Sequence, residues 1–309
     1  MLDVSNVVKR YTGKVAVDNV SFKATEGRIF GLLGPNGAGK TTTIRMITYI
    51  TTPDSGTITF QGKVVAPWSQ RKMGYLPEER GLYRRMKVGE QLIYLAQLKG
   101  LPKSTAKERI GYWLGRFDAD GWDAKRVHEL SKGMQQKVQF IATIIHEPDL
   151  LIFDEPFSGL DPINSELLQS VIYELKSKGK TILFASHRME QVEQLCDDIC
   201  MLSDGKVVVN GSVREIKQSF GRDTVRLDYT GDNTFVKSLQ DAHRIKVLNE
   251  TTTGVEMRLL DETPARLVLD EALAAVDELH RFEVVEPSLN EIFISVIGGA
   301  ESNGSTVRQ

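Results

Sequence analysis

The sequence predicts an α/β protein in two parts, a core with a partly parallel sheet and a helical insertion, then a small α+β domain. Three observations predict it. Short apolar segments alternate with amphipathic helical stretches through the first two thirds of the chain. A glycine-rich loop stands between one such segment and a helix. After Gly221 the pattern resets to strand, helix, strand, strand, helix, strand, the order of a ferredoxin-like unit.

Residues 3–11 and 16–25 flank Thr12-Gly13-Lys14 as a hairpin. "RIFGLL" is an apolar strand that runs into "GPNGAGKTT" and then a helix over 41–50, and "GTITFQGKVV" gives a strand pair about Gln61-Gly62. Apolar residues at three- and four-residue steps predict helices over 88–101, 105–117 and 132–146, which together make a helical subdomain of about 87–146. Strands return in "DLLIFDEP", "TILFASH" and "DICMLSDGKVVVNG", the last a hairpin about Asp204-Gly205. A helix over 162–179 separates the first two of these. The expected domains are 1–220 and 221–298. In the second, strands over 224–229, 243–250, 254–260 and 281–286 alternate with helices over 233–240 and 263–280. A short helix over 288–297 and a disordered tail over 299–309 close the chain.

Of the 309 residues 41% are hydrophobic and 26% charged, enough apolar surface for a real core, and the formal net charge is −2. That charge offers no broad basic surface, so no nucleic-acid partner is expected. Apolar runs such as "LLIF" fall far short of the ~18 residues of a membrane span. The N-terminal stretch lacks the layout of a secretion signal. A cytosolic chain with only peripheral membrane contact is expected. Cys196 and Cys200, the two cysteines, exclude a disulfide framework and read as buried small hydrophobes.

The chemistry concentrates in three segments. Gly34, Pro35, Asn36, Gly37, Ala38, Gly39, Lys40, Thr41 and Thr42 form the pattern GxxxxGK[ST] between strand and helix. Its glycines let backbone N–H groups wrap phosphates at a helix N-terminus. Lys40 can reach β- and γ-phosphates, and the Thr41 hydroxyl can ligate Mg²⁺. Asp154, at the end of a four-residue apolar strand, is a second Mg²⁺ candidate. Glu155 follows it, where strand alternation turns its side chain to a different side, as a general base for water. His187 ends another apolar strand, and if that strand is parallel to the Asp154 strand it faces the same phosphates.

In this order these pieces resemble the ATP-binding subunit of an ABC transporter, over residues 2–217. The resemblance implies a P-loop NTPase (RecA-like) core with an antiparallel β subdomain and a helical insertion, and ATP hydrolysis with Mg²⁺. "GPNGAGKTT" looks like the family's Walker A, "LLIFDE" its Walker B, "SGLD" with Asp161 its D-loop, and His187 its switch histidine. Tyr11 lies where the family stacks an aromatic on adenine. "LSKGMQQK" looks like the signature LSGGQ, with Ser131, Gly133 and Gln135 matched to its Ser, a Gly and its Gln, and Lys132 and Met134 as departures. In the family this segment closes over ATP held by the partner subunit, so the resemblance implies a head-to-tail homodimer. Glu78 in "YLPEERGLYRRM" stands where the family usually has a Gln that touches Mg²⁺. Arg80, Arg84 and Arg85 make the following loop basic.

"YLPEERGLY" with a C-terminal domain ending "EPSLNEIFI" resembles a narrower subgroup, the NatA-like bacterial exporters, which work with a separate ABC-2 type permease. That implies a motor on the cytoplasmic side of the cell membrane, bound peripherally through its permease, with sodium ion, drug or antibiotic peptide as cargo. The alternatives are a soluble ABC ATPase acting on ribosome or DNA, and a regulatory module that no longer hydrolyses ATP. A single P-loop and the absence of zinc cysteines weigh against the first. Intact Lys40, Asp154, Glu155 and His187 weigh against the second.

Overall fold

The computed structural model describes residues 1–79, 81–221 and 223–304. The chain divides into two compact units, Met1–Val213 and Arg214–Gln309, so the division falls earlier than the expected 220/221.

In the first unit β1 (Leu2–Tyr11), β2 (Lys14–Ala24), β4 (Ser55–Phe60) and β5 (Lys63–Val64) form an antiparallel sheet in the order β2-β1-β4-β5. A second sheet runs β10-β9-β3-β8-β7-β6, from β3 (Ile29–Leu33), β6 (Met73–Leu76), β7 (Leu150–Asp154), β8 (Thr181–Ser186), β9 (Asp198–Ser203) and β10 (Lys206–Ser212). All its pairings are parallel except β9 with β10. Every residue of β3, β7 and β8 is buried, as continuous apolar runs covered on both faces require. One core joins the sheets, with Leu2, Phe22 and Phe60 of the first packed into the cluster that holds Leu32, Ile152 and Leu183 of the second.

The helices of this unit are α1 (Lys40–Ile47), α2 (Val88–Leu98), α3 (Lys103–Arg116), α4 (Lys132–Ile144), α5 (Pro162–Ser177), α6 (Met189–Leu195) and α7 (Val213–Ser219), the last lying across the division. β6, α6 and α7 are too short for a periodic signal.

β6 is an edge strand, and α4 lies along its open side. Gln139 Nε2 donates to Pro77 O and Glu79 O, both at 3.3 Å. Thr143 Oγ1 lies 3.5 Å from Tyr75 O, and His146 Nε2 donates to Met73 O at 3.1 Å. Covering the edge in this way removes a site for unwanted strand pairing.

His146 carries a cost. Burial, then the positive fields of Lys99, Arg109 and Lys180, hold its pKa down at about 4, against the opposing effect of the Met73 hydrogen bond. Its Nδ1 is buried without a partner. The folded pKa lies below the unfolded value near 6.5, so the unfolded chain takes up the proton first and stability falls as pH drops from about 6.5 to about 4. The contribution is roughly 3 kcal/mol. His146→Gln, which keeps a donor for Met73, is expected to lose less stability between pH 7 and pH 4 by about that amount in urea unfolding. Parallel losses in variant and parent would contradict the assignment.

In the second unit β11 (Thr224–Gly231), α8 (Thr234–Asp241), β12 (Ile245–Glu250), β13 (Gly254–Leu259), α9 (Ala265–Ala275) and β14 (Val276–Val285) give the sheet order β12-β13-β11-β14, antiparallel throughout. That is the ferredoxin-like order. The helix expected over 263–280 stops at Ala275. Residues 276–280 pair instead with the end of β11, Gly231 opposite Val276 and Tyr229 opposite Leu279, a non-local pairing that overrides the local pattern. α10 (Leu289–Gly304) carries helix into the first part of the expected tail, while 305–309 lie outside the described residues.

Candidate functional site

Three strand ends set the site. β8 lies between β3 and β7, with Leu33 opposite Ser186 and Asp154 opposite Ala185, so the segments that follow β3, β7 and β8 leave the sheet at one level. This is the crevice at the carboxyl ends of parallel strands where α/β folds bind ligands. β6 ends beside β7, with Leu76 opposite Phe153, and brings Glu78 to the same crevice.

The loop from Gly34 to Gly39 requires glycine at both ends. A Cβ at Gly34 would stand 2.3 Å from Leu202 O and one at Gly39 2.6 Å from Ala16 O, and both residues have positive φ. Gly39 caps α1 without a side-chain bond, so the first N–H groups of the helix are left for a ligand. A cavity of about 270 Å³ opens there. Asn36, Gly37, Gly39, Lys40, Thr41 and Thr42 line one side of it, and Glu78, Asp154, Glu155 and His187 another, with Tyr11 at the rim. Gly34, Pro35 and Ala38 shape the loop from behind. Lys14 and Ala16 also line the cavity. Sequence reasoning passed over them, although they flank the same turn as Tyr11.

The electrostatics are those of a site built around charge. Lys40 Nζ is buried and donates to Gly34 O at 2.6 Å and Pro35 O at 3.1 Å. Burial lowers its pKa, against the fields of Glu155, Asp154 and Glu78. Burial, then Glu78 and Glu155, push Asp154 up to about 6, against Lys40 and Arg45. At pH 7 Asp154 is ionised at a penalty of roughly 3 kcal/mol that a bound cation would relieve. Burial and Asp154 push the Tyr75 phenol up to about 12.

Glu155 departs from the strand alternation expected of it. Its φ is 51°, the left-handed region, so it is no longer a strand residue and its carboxyl lines the same cavity as Asp154. Such a conformation costs on the order of 1–3 kcal/mol and is typical of functional positions. Three donors hold the carboxylate. The His187 N–H at 2.8 Å and His187 Nδ1 at 2.6 Å share Oε1, and Ser186 Oγ donates to Oε2 at 3.1 Å. Because a carboxylate only accepts, Nδ1 carries the ring proton.

The signature segment is not part of this cavity. Ser131 caps α4 by accepting from Met134 N at 3.2 Å, and Asp161 caps α5 by accepting from Asn164 N at 2.9 Å. Aligned without a gap on residues 130–134, LSGGQ places Met134, not Gln135, at its glutamine. Gln135 Nε2 already donates to Leu130 O at 2.9 Å and Val127 O at 3.3 Å, so its side chain is engaged within its own chain. As a contact to a second copy's nucleotide, Gln135 remains a proposal. At Gly133 a Cβ would meet nothing nearer than 3.6 Å and φ is not positive, so the chain by itself gives no reason for glycine there.

Among the described residues no three His, Cys, Asp or Glu are grouped to cage a metal. Mg²⁺ needs no such cage, since it takes one or two carboxylates together with substrate phosphates. Thr41, Glu78 and Asp154 around one acidic crevice fit that requirement.

Residues 17–158 match the family model of ABC transporters, and residues 211–297 that of the ATP-binding protein DrrA1-3-like, C-terminal domain. The chain is 46% identical over 298 residues to the ABC transporter ATP-binding protein YhaQ of Bacillus subtilis, with 96% of this chain and 99% of YhaQ covered. The chain belongs to the ABC transporter ATP-binding subunits. This subunit is also 32% identical to the linearmycin resistance ATP-binding protein LnrL of Bacillus subtilis, over 96% of its own length and 98% of LnrL. To the ABC transporter ATP-binding protein NatA of Bacillus subtilis it is 39% identical, over 71% of its length and 92% of NatA. A solved ATP-binding subunit of an ABC transporter superposes with a TM-score of 0.67 at 33% identity, covering 71% of this chain and 93% of that one. The dimeric bacterial cassette MJ0796 superposes at 0.64 with 22% identity, covering 69% and 99%, a likeness of fold. The subunit is an ATPase and the motor component of a transporter, with the P-loop cassette fold. Among its described residues no helix is long and apolar enough to cross a membrane.

Proposed function

We propose that this ATPase drives export through a separate permease of the ABC-2 type, on the cytoplasmic side of the cell membrane, and works as a head-to-tail pair of identical chains. Lys40 and the N–H groups of the loop and α1 hold the ATP phosphates, and Tyr11 stacks on adenine. Thr41, Glu78 and Asp154 would hold Mg²⁺, which would offset the negative charge of the phosphates in the reaction. Glu155 takes the proton of the attacking water, and His187, anchored to Glu155 through Nδ1–H, donates to the γ-phosphate when Nε2 also carries a proton. Ser131 and Gly133, with Asp161 beside them, cover the nucleotide of the second copy. Export is favoured by the full-length likeness to a resistance protein, LnrL. Cargo in the sodium, drug and antibiotic-peptide classes fits that relationship.

The observation that carries the paired arrangement is Gly133. It has room for a side chain in its own chain, and its segment stands outside the cavity lined by Lys40, Thr41, Asp154 and Glu155. Mixing two inactive variants tests this. Lys40→Ala spoils a P-loop and Gly133→Asp spoils a signature. A mixed pair therefore keeps one intact site, made from the P-loop of one chain and the signature of the other. ATPase activity is expected to return, up to roughly a quarter of the parental value for random pairing. A mixture as inactive as its components overturns the trans arrangement. Crosslinked pulldown from its own cell should recover a polytopic membrane protein, and recovery of ribosomes instead would favour the soluble alternative.

A further inference from the structure

α4 carries two buried glutamines whose amides reach the loops that hold Glu155 and Glu78. Gln136 Nε2 donates at 2.9 Å to the carbonyl of Pro156, the residue after Glu155. Gln139 Nε2 donates at 3.3 Å to Pro77 O and at 3.3 Å to Glu79 O, the carbonyls on either side of Glu78. The two side chains are 3% and 5% exposed and sit three residues apart, on one helix face. A proline offers its loop no N–H, so the carbonyls at 77 and 156 are the only hydrogen-bonding backbone groups at those two positions.

Packing does not ask for an amide at 139. Val138, Phe140 and Ile141 beside it are fully buried, and Gln139 Oε1 is buried without a partner. A buried acceptor left unpaired is unfavourable and calls for a reason. The two carbonyls also settle which end of the amide is the donor, because the flipped group would set an oxygen against both. Just past the end of α4, His146 donates to Met73 O and ties the helix terminus to the β6 edge.

We infer that Gln136 and Gln139 are positioning residues for Glu155 and Glu78, through which α4 sets the geometry of its own chain's site. The inference rests on the proposed roles of those two carboxylates. The N-terminal end of the same helix is the Ser131 segment assigned to the second copy's nucleotide. A shift of α4 on covering that nucleotide moves both loop carbonyls, and closure at one site aligns the acidic groups of the other.

Gln136→Met and Gln139→Met keep the side-chain length and remove the donors. In the full chain we expect thermal stability and ATP Kd near parental values and a turnover number lower by ~10- to 100-fold, the effect of a carboxylate displaced by about an ångström. Backbone hydrogen exchange in the nucleotide-free chain should quicken at Glu155 and Phe157 in the first variant and at Glu78 and Glu79 in the second. Unchanged turnover and exchange overturn the inference. So does a fall in melting temperature that accounts for the whole loss of activity. Glu155→Gln measured alongside separates the two readings. If it turns over like the parent, the role of Glu155 itself is wrong; if it is inactive while both Met variants are normal, only the positioning is wrong.

Discussion

Glu155→Gln is expected to leave ATP binding intact, to lower turnover by ~10²- to 10⁴-fold, the range for losing a general base, and to accumulate an ATP-bound dimer. The substitution keeps the shape of the side chain, and the glutamine oxygen can still accept from His187 N–H and Nδ1. What it loses is the capacity to take a proton. It also removes one of the negative charges that crowd Asp154, which eases entry of the ATP phosphates. Sizing by light scattering with Mg²⁺-ATP should show twice the monomer mass, returning to monomer with ADP. A variant that binds ATP tightly yet stays monomeric at every concentration would sink the paired site.

Lys40→Ala has the second large effect, on binding rather than turnover. The ammonium lines a cavity also lined by Glu78, Asp154 and Glu155, and it is held inside the loop through Gly34 O and Pro35 O. Removing it takes away a phosphate partner and leaves the three carboxylates without its counter-charge. Truncating one member of such a pair costs roughly 2–5 kcal/mol, which weakens ATP by ~30- to several-thousand-fold. Direct calorimetric titration reads this without any need for turnover. Lys40→Arg keeps the charge but has a planar fork in place of a compact ammonium, and is expected to recover little. ATP affinity within a few-fold of parental in Lys40→Ala would remove Lys40 from the phosphate site.

Much of the site was legible because its chemistry is local. Gly34 to Thr42 is one turn and the start of one helix, and the clashes awaiting a Cβ at Gly34 and Gly39 are the physical content of the motif. Asp154 and His187 were legible as polar residues closing apolar strands. Glu155 was placed by a strand rule that stops applying at Asp154, since the left-handed backbone that turns it into the crevice leaves no mark in residue type. Gln135 shows a related limit of reading by motif. A motif letter names a residue, while hydrogen bonds to Leu130 and Val127 decide where its side chain goes.

By itself the sequence determined the two-part α/β architecture, the phosphate loop, the acidic strand end and the ferredoxin-like order of the second unit. Periodicity and turn chemistry act over a few residues and survive in the one-dimensional pattern. Only the tertiary structure decided that β8 lies between β3 and β7, that β6 sits at the edge beside β7, and that 276–280 is strand rather than helix. It alone showed α4 laid along β6 with Gln136 and Gln139 turned onto the loops of Glu155 and Glu78. Each of these is a pairing between distant segments, settled by burial and backbone hydrogen bonding across the fold, and no window along the chain contains both partners.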